Sequence, residues 1–346
     1  MRTTNILTAA IAVAPFLLAG CLGDPVEQEV KSEYVAVIVN NGDDKNGSVD
    51  YYYENDGSVV KNPFGYSYNA TYRSIQMVGD RLCLVTNDND AILTFDIMGR
   101  VLGTPKTGDI KTPRFATATQ SYVFVSNWGE ETGNGDYQSS FITVLDKYDY
   151  SFYKKLSCGS QAEGIIAYKD RLFVATGEGV EVFSTLTTDF VREATISASA
   201  LTGHAKHFVV DSLDNIWVSY ANGGLLCFDP TSRAIIRTLP DVPVDAETGF
   251  IAITKDGKKI ISYTNTPAAT VVATDILTGE QTELIEGDYN ITAFGVSPFT
   301  NDILIADTAP GGESTFMVFD ETGHKKGQTS TGPYTGYISF FGYFYY

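Results

Sequence analysis

Residues 335–346 read TGYISFFGYFYY, an uncharged run rich in aromatic side chains. It is far shorter than the roughly 20 apolar residues a membrane-spanning helix requires. It resembles instead a type of segment that recurs along the chain: RSIQMV (73–78), PRFATAT (113–119), EGIIAY (163–168), KHFVVD (206–211), GFIAIT (249–254) and ITAFGV (291–296). Each of those six stands at the head of a longer repeating unit. The final one stands alone.

The units are marked most clearly by their third segment: SVDYYYENDG, AILTFDIMGR, FITVLDKYDY, GVEVFSTLTT, GLLCFDPTSR, TVVATDILTG and TFMVFDETGH. Each is a β-rich run that closes at Glu54, Asp96, Asp146, Ser184, Asp229, Asp275 or Asp320 and then turns. A second apolar run precedes each copy, from YVAVIVNN (34–41) to DILIADT (302–308), and a short fourth one follows it. Four short strands in a unit of roughly 42–46 residues is the spacing of a β-propeller. An array of immunoglobulin-type sandwiches would need units about twice as long.

The count fixes the closure. Six units are complete from Arg73 to about Gly332, while the N-terminus supplies strands two to four without a first. TGYISFF is then the missing first strand. The expected fold is all-β: a seven-bladed propeller of four-stranded blades, one blade closed by N-terminal strands plus the C-terminal strand. Closure of this kind hides sheet edges and makes residues 34–346 a single domain. The last residues leave two readings open: one long strand, or a second short strand begun by Tyr343–Tyr346 beside YVAVIVNN.

The N-terminus reads differently. Arg2 is followed by the apolar run ILTAAIAVAPFLLAG, which has the form of a signal peptide over residues 1–20. Leu18-Ala19-Gly20-Cys21 resembles the bacterial lipobox, which implies lipidation of Cys21 and a tether over residues 21–33. Loss of Arg2 takes the net charge from −18 to −19. So acidic a surface disfavours nucleic acid and direct binding to anionic headgroups, so the membrane is expected to be met through the N-terminal lipid only. Of the remaining cysteines, Cys83 and Cys227 lie in apolar strands and Cys158 makes an odd third. That pattern is expected of buried free thiols and not of a disulfide framework or zinc site.

Function is expected on the loops. In a propeller the connections from strand two to strand three share a face with those between blades, and loops carry binding while strands carry structure. Here those loops bring together Tyr66, Tyr68, Asn87, Arg114, Asn127, Trp128, Tyr137, His204, His207, Tyr220, Asn265, Tyr289, Asp307 and Tyr334. Aromatic faces and amides on one rim suit stacking on, and hydrogen bonding to, a large polar ligand of little charge. The same residues also end strands and build turns for local reasons. The repeated Asp before a turn is read as a turn-holding acceptor rather than a catalytic acid.

Catalytic and metal-binding patterns are thin. His204 and His207 are three residues apart with no evident third ligand, and Asn87-Asp88-Asn89-Asp90 lacks the rest of a calcium loop. Glu130, Glu131 and Asp136 in the long insertion of the PRFATAT unit have no fixed mutual geometry. No GxSxG, HExxH or Walker pattern occurs.

Lipobox, acidic tether and seven blades with FDxxTG-like turns together resemble the YncE-like propeller lipoproteins of gut bacteria, and among them the BtuG-type surface proteins that capture cobalamin. The resemblance spans residues 34–346. It implies capture of a corrinoid, as a ligand and not a cofactor, on the loop face. It further implies hand-over to an outer-membrane TonB-dependent transporter, and an outer-membrane location facing the exterior. A surface glycan-binding lipoprotein, a metal-dependent propeller lactonase or lyase, and a protein-interaction module are the alternatives.

Overall fold

The computed structural model describes residues 31–42, 45–65, 69–103, 109–133, 137 and 139–345. The expectations for the signal peptide, for Cys21, and for Tyr66 and Tyr68 fall outside these residues. Residues Glu33–Tyr343 form one compact body, all-β, with no helix among the described residues.

Seven four-stranded antiparallel sheets make up the body. Blade 1 holds β1 (Lys31–Asn40), β2 (Ser48–Tyr53) and β3 (Val59–Lys61). Blade 2 holds β4 (Tyr72–Val78), β5 (Arg81–Thr86), β6 (Ala91–Phe95) and β7 (Val101–Gly103). Blade 3 holds β8 (Pro113–Ala118), β9 (Tyr122–Asn127), β10 (Phe141–Asp146) and β11 (Phe152–Ser157). Blade 4 is β12 (Ile165–Tyr168), β13 (Arg171–Thr176), β14 (Gly179–Ser184) and β15 (Arg192–Ile196). Blade 5 is β16 (Ala205–Val210), β17 (Ile216–Tyr220), β18 (Leu225–Phe228) and β19 (Ile235–Leu239). Blade 6 is β20 (Ile251–Ile253), β21 (Lys259–Thr264), β22 (Ala269–Asp275) and β23 (Gln281–Gly287). Blade 7 is β24 (Ile291–Val296), β25 (Ile303–Thr308), β26 (Ser314–Phe319) and β27 (Lys325–Ser330). The last strand, β28 (Thr335–Tyr345), returns to blade 1, where the order is β28-β1-β2-β3.

The tail is therefore the missing inner strand, and it is one long strand, not two. At the other end, β1 begins at Lys31, three residues before the domain boundary that hydrophobicity suggests. Strand pairing uses backbone N–H and C=O groups, so polar residues extend it as readily as apolar ones.

Burial explains the pattern of the repeats. The middle strands are packed between neighbouring blades on both faces, as in β14, where every residue is buried. Such strands read as continuous apolar runs rather than as alternating ones. The outermost strands face water and read as polar, as in β27. β28 joins two of the inter-blade cores: Phe341 packs with Tyr51, Leu82 and Phe95, and Ile338 with Ala293, Leu304 and Phe316.

The repeated Asp holds the turn into the outer strand. Asp320 Oδ1 accepts from the backbone N–H groups of Thr322 (2.9 Å) and His324 (3.0 Å). Asp275 Oδ1 accepts from Leu277 (2.9 Å) and Thr278 (2.8 Å). Gly323 and Gly279 follow with φ of +88° and +78°, a conformation in which a Cβ is strained. These aspartates serve the fold. Cys83 and Cys227 are buried free thiols, and Cys158 is half-buried and free.

Candidate functional site

Each inner strand starts on the loop face, so the first residues of β4, β8, β12, β16, β20, β24 and β28 surround the mouth of the central channel. Four of these starts carry charge. Glu163, just before β12, is buried and accepts from Arg114 of β8, Nε to Oε2 at 3.0 Å and Nη2 to Oε1 at 2.7 Å. Arg73 of β4 reaches the same Oε1 from its Nη2 at 2.9 Å. Lys206 of β16 adds a third positive charge within electrostatic reach of Glu163.

Burial would raise the Glu163 carboxyl, but Arg114, Arg73 and Lys206 outweigh it and hold the group far below the usual carboxylate range. Burial pushes Arg114 down to about 10, and the neighbouring Arg73 charge acts the same way. Lys206 is lowered by burial first, against the pull of Glu163.

Trp128 lies over Arg114, with the guanidinium carbon 3.8 Å from its ring, and Tyr137 packs on Trp128 with ring centres 4.8 Å apart. The long insertion of blade 3 positions both aromatics through an antiparallel bridge between Glu131 and Tyr137.

Beneath the charges the channel is closed. Phe115 (β8), His207 (β16), Phe250 (before β20) and Tyr337 (β28) form a cycle of four rings. Centre-to-centre separations around it are 4.7, 4.7, 5.5 and 5.7 Å. Rings contributed by blades 3, 5, 6 and 1 touch only by meeting across the axis. Burial pushes His207 down to about 3, so the ring is neutral at ordinary pH, and its Nε2 is buried without a hydrogen-bond partner.

Beside the cluster, on the side of blades 6, 7 and 1, a cavity of about 160 Å³ opens on the loop face. Arg73, Asn41, Asp245, Glu247, Asn265, Asn290, Thr292 and Tyr334 are among its walls. A larger hollow of about 390 Å³ lies on the opposite face, between blades 3 and 4, lined by Thr119, Lys169, Asp170 and Thr185. None of the charged mouth residues reaches it.

The rim residues named from sequence separate into groups. Arg114, Trp128 and Tyr137 meet at the mouth, and Asn265 and Tyr334 line the cavity. His204 is half-buried, with burial and Lys206 lowering it. Asn127 is fully buried, and its Nδ2 donates to Val125 O (2.8 Å) and Thr143 Oγ1 (3.1 Å). Tyr220 is buried, Asp307 accepts from the Asn290 N–H at 2.8 Å, and Tyr289 packs its ring against Gly287. Asn87 is half-buried, its backbone N–H bonded to Thr71 O at 3.0 Å. The neighbouring carboxylates brace the loop: Asp88 accepts from the Thr71 N–H and Asp90 from Lys111. Among the described residues no group of three or more His, Cys, Asp or Glu is placed to hold a metal ion.

Sequence reasoning missed Arg73, Glu163 and Lys206. The signal was present, because each stands as a charged residue at the head of an inner-strand segment: RSIQMV, EGIIAY, KHFVVD.

No family model matches this chain, and no curated protein does. Solved structures share its fold. A functionally unknown protein from Desulfotomaculum acetoxidans superposes with a TM-score of 0.67 at 10% identity, over 88% of this chain and 98% of its own. A candidate 6-phosphogluconolactonase from Bacteroides fragilis gives 0.66 at 14% identity, over 92% and 100%. Apo AztD from Citrobacter koseri gives 0.55 at 14% identity, over 90% and 99%. At these identities the likeness is one of fold, the β-propeller.

Proposed function

We propose that this chain is a capture protein, not an enzyme, that binds a large polar ligand of little net charge on the loop face. The ligand is a corrinoid of the cobalamin type, held at the mouth of a blind channel and passed to an outer-membrane TonB-dependent transporter. A lipid on Cys21 keeps the propeller at the outer face of the cell. The resemblance to YncE-like and BtuG-type lipoproteins supports this identity.

The observation that carries the binding reading is the blind mouth. The four-ring closure denies a ligand passage through the channel, while Trp128, Tyr137, the cavity amides and the ionic cluster furnish the surface above it. These groups are fixed by strand starts and by each other, so binding orders few side chains, which favours tight capture. Calorimetry with cyanocobalamin at micromolar protein tests it, with saturable heat and co-elution expected. No heat, or stabilisation by a neutral oligosaccharide in its place, would overturn the corrinoid assignment.

A further inference from the structure

We propose that the face opposite the mouth rests on a lipid bilayer, through five apolar side chains at its turn tips that act alongside the anchoring lipid. The inference rests on the lipid at Cys21 in the reading above and specifies which way the propeller stands on the membrane.

The strand order defines this face. Inner strands run away from the mouth, so the turns from first to second strand and from third to fourth lie opposite it. Five of these turns carry the most exposed large apolar side chains among the described residues: Met98, Tyr148, Leu186, Leu213 and Leu277, between 60% and 88% exposed. They come one from each of blades 2 to 6. On the connections of the loop face, the most exposed such side chain among the described residues is Tyr334, at 37%.

Turn chemistry does not call for apolar tips. Each of the five stands two residues after a side-chain acceptor and donates its own N–H to it. Met98, Tyr148, Leu213 and Leu277 donate to aspartates at 2.7–3.0 Å, and Leu186 to Ser184 Oγ at 3.4 Å. Thr231 and Thr322 make the same bond from the same place in the outer turns of blades 5 and 7. A polar residue therefore serves the turn equally well. Single exposed apolar residues are ordinary, but repetition at one turn position on one face is not.

Two observations choose a bilayer over another protein. The tether joins the body at this face: Tyr34 donates its N–H to Asn55 Oδ1 at 2.9 Å and stacks on Phe299 with ring centres 4.4 Å apart, both in turns opposite the mouth. Residues 22–33 separate Tyr34 from Cys21, a reach of about 40 Å when extended. That reach covers either face, and the apolar tips select this one. The tips also stand singly on a floor of paired charge, with Arg100–Asp96 at 2.9 Å, Lys169–Asp214 at 3.2 Å and Lys258–Asp256 at 3.8 Å. Protein interfaces centre on a desolvated apolar core, which such a floor lacks. A zwitterionic headgroup layer keeps the paired charges solvated while isolated apolar side chains reach the acyl boundary, and tyrosine favours that boundary. The mouth then faces the medium, and hand-over to a transporter in the same membrane requires the propeller to lift on its tether.

The full chain, purified in detergent, is reconstituted into phosphatidylcholine vesicles with or without brominated acyl chains, which quench tryptophan on contact. The parent emits from Trp128 at the mouth and from Trp217 buried in blade 5, and should lose little emission. Leu277→Trp should lose at least fivefold more, and adding Met98→Ser, Tyr148→Ser and Leu186→Ser should restore it. Equal loss in parent and Leu277→Trp, loss in neither, or loss that survives the three serine substitutions overturns the proposal. So does a parent dimer that these substitutions disperse without any quenching, which would give the face to a second copy. The comparison of parent with Leu277→Trp stands even where the serine variant misfolds. Mass spectrometry of the same preparation scores the lipid separately. Unmodified Cys21 with selective Leu277→Trp quenching keeps the face and removes the anchor, and lipidated Cys21 without that quenching removes the face alone.

Discussion

The Arg114 guanidinium and the Glu163 carboxylate meet edge to edge at 2.7 and 3.0 Å, both side chains buried, across the junction of blades 3 and 4. Among the described residues the pair is the only two-point ion contact at the mouth, and Arg73 depends on the same carboxylate. Removing one partner of a buried pair leaves the other desolvated and uncompensated, which costs about 3–5 kcal/mol. Glu163→Gln keeps the shape and deletes the charge. It should lower the urea midpoint by the equivalent of that loss with an unchanged m-value, and a midpoint equal to the parent's would show that the cluster does not brace the fold.

Acid should loosen the same region through His207. Burial drives its folded pKa to about 3 against the pull of Glu163, and Lys206 and Arg73 push it the same way as burial. The unfolded chain takes up this proton near pH 6.5, and the folded chain resists until about pH 3. Stability is therefore lost as pH falls through that window, by ~2 kcal/mol between pH 7 and pH 5. Glu163 acts in the same direction at lower pH, because its folded carboxyl stays ionised where the unfolded one is protonated. His207→Phe should flatten the pH 5–7 segment of a stability profile measured by urea unfolding. Parallel profiles for variant and parent would dismiss His207 as the source.

What could be read in advance divides along physical lines. Blade number, strand order and the tail's place in blade 1 follow from repeat spacing and apolar runs, which are properties of the one-dimensional chain. The Asp–turn pattern was also legible, because its hydrogen bonds are local, as Asp320 to Thr322 and His324 shows. The mouth was only half legible. Arg73, Arg114, Glu163 and Lys206 lie up to 133 residues apart, from position 73 to position 206, and only ring closure sets them together. Asn127 shows the converse: its residue type suits a binding rim, yet its amide is consumed inside the blade by Val125 and Thr143. An Asn at a strand end reads the same in sequence whether it faces ligand or backbone.

Trp128 separates binding from folding. Its ring stacks on Arg114 but is only half-buried, so truncation removes a cation–π contact of about 0.5–2 kcal/mol and little core. Trp128→Ala should keep the circular dichroism of the parent and weaken cyanocobalamin binding at least tenfold. Trp128→Phe should recover part of that loss. Unchanged affinity in Trp128→Ala would move the ligand away from this side of the mouth.

The tail is the last test, because its role is topological. Ile338 of β28 packs against Ala293, Leu304 and Phe316, and Phe341 packs against Tyr51, so one strand bonds blade 1 to the cores on both sides of it. Ile338→Ala should cost about 2–5 kcal/mol, the usual range for a buried aliphatic truncation. Deletion from Thr335 onward is a different kind of change. It strips the inner edge of β1, removes Tyr337 from the four-ring closure, and exposes unpaired strand backbone that invites association. The truncated chain should aggregate or lose cooperative unfolding, as read by light scattering and a thermal melt. A monomeric truncation with a sharp transition would mean that six blades and three strands close without their clasp.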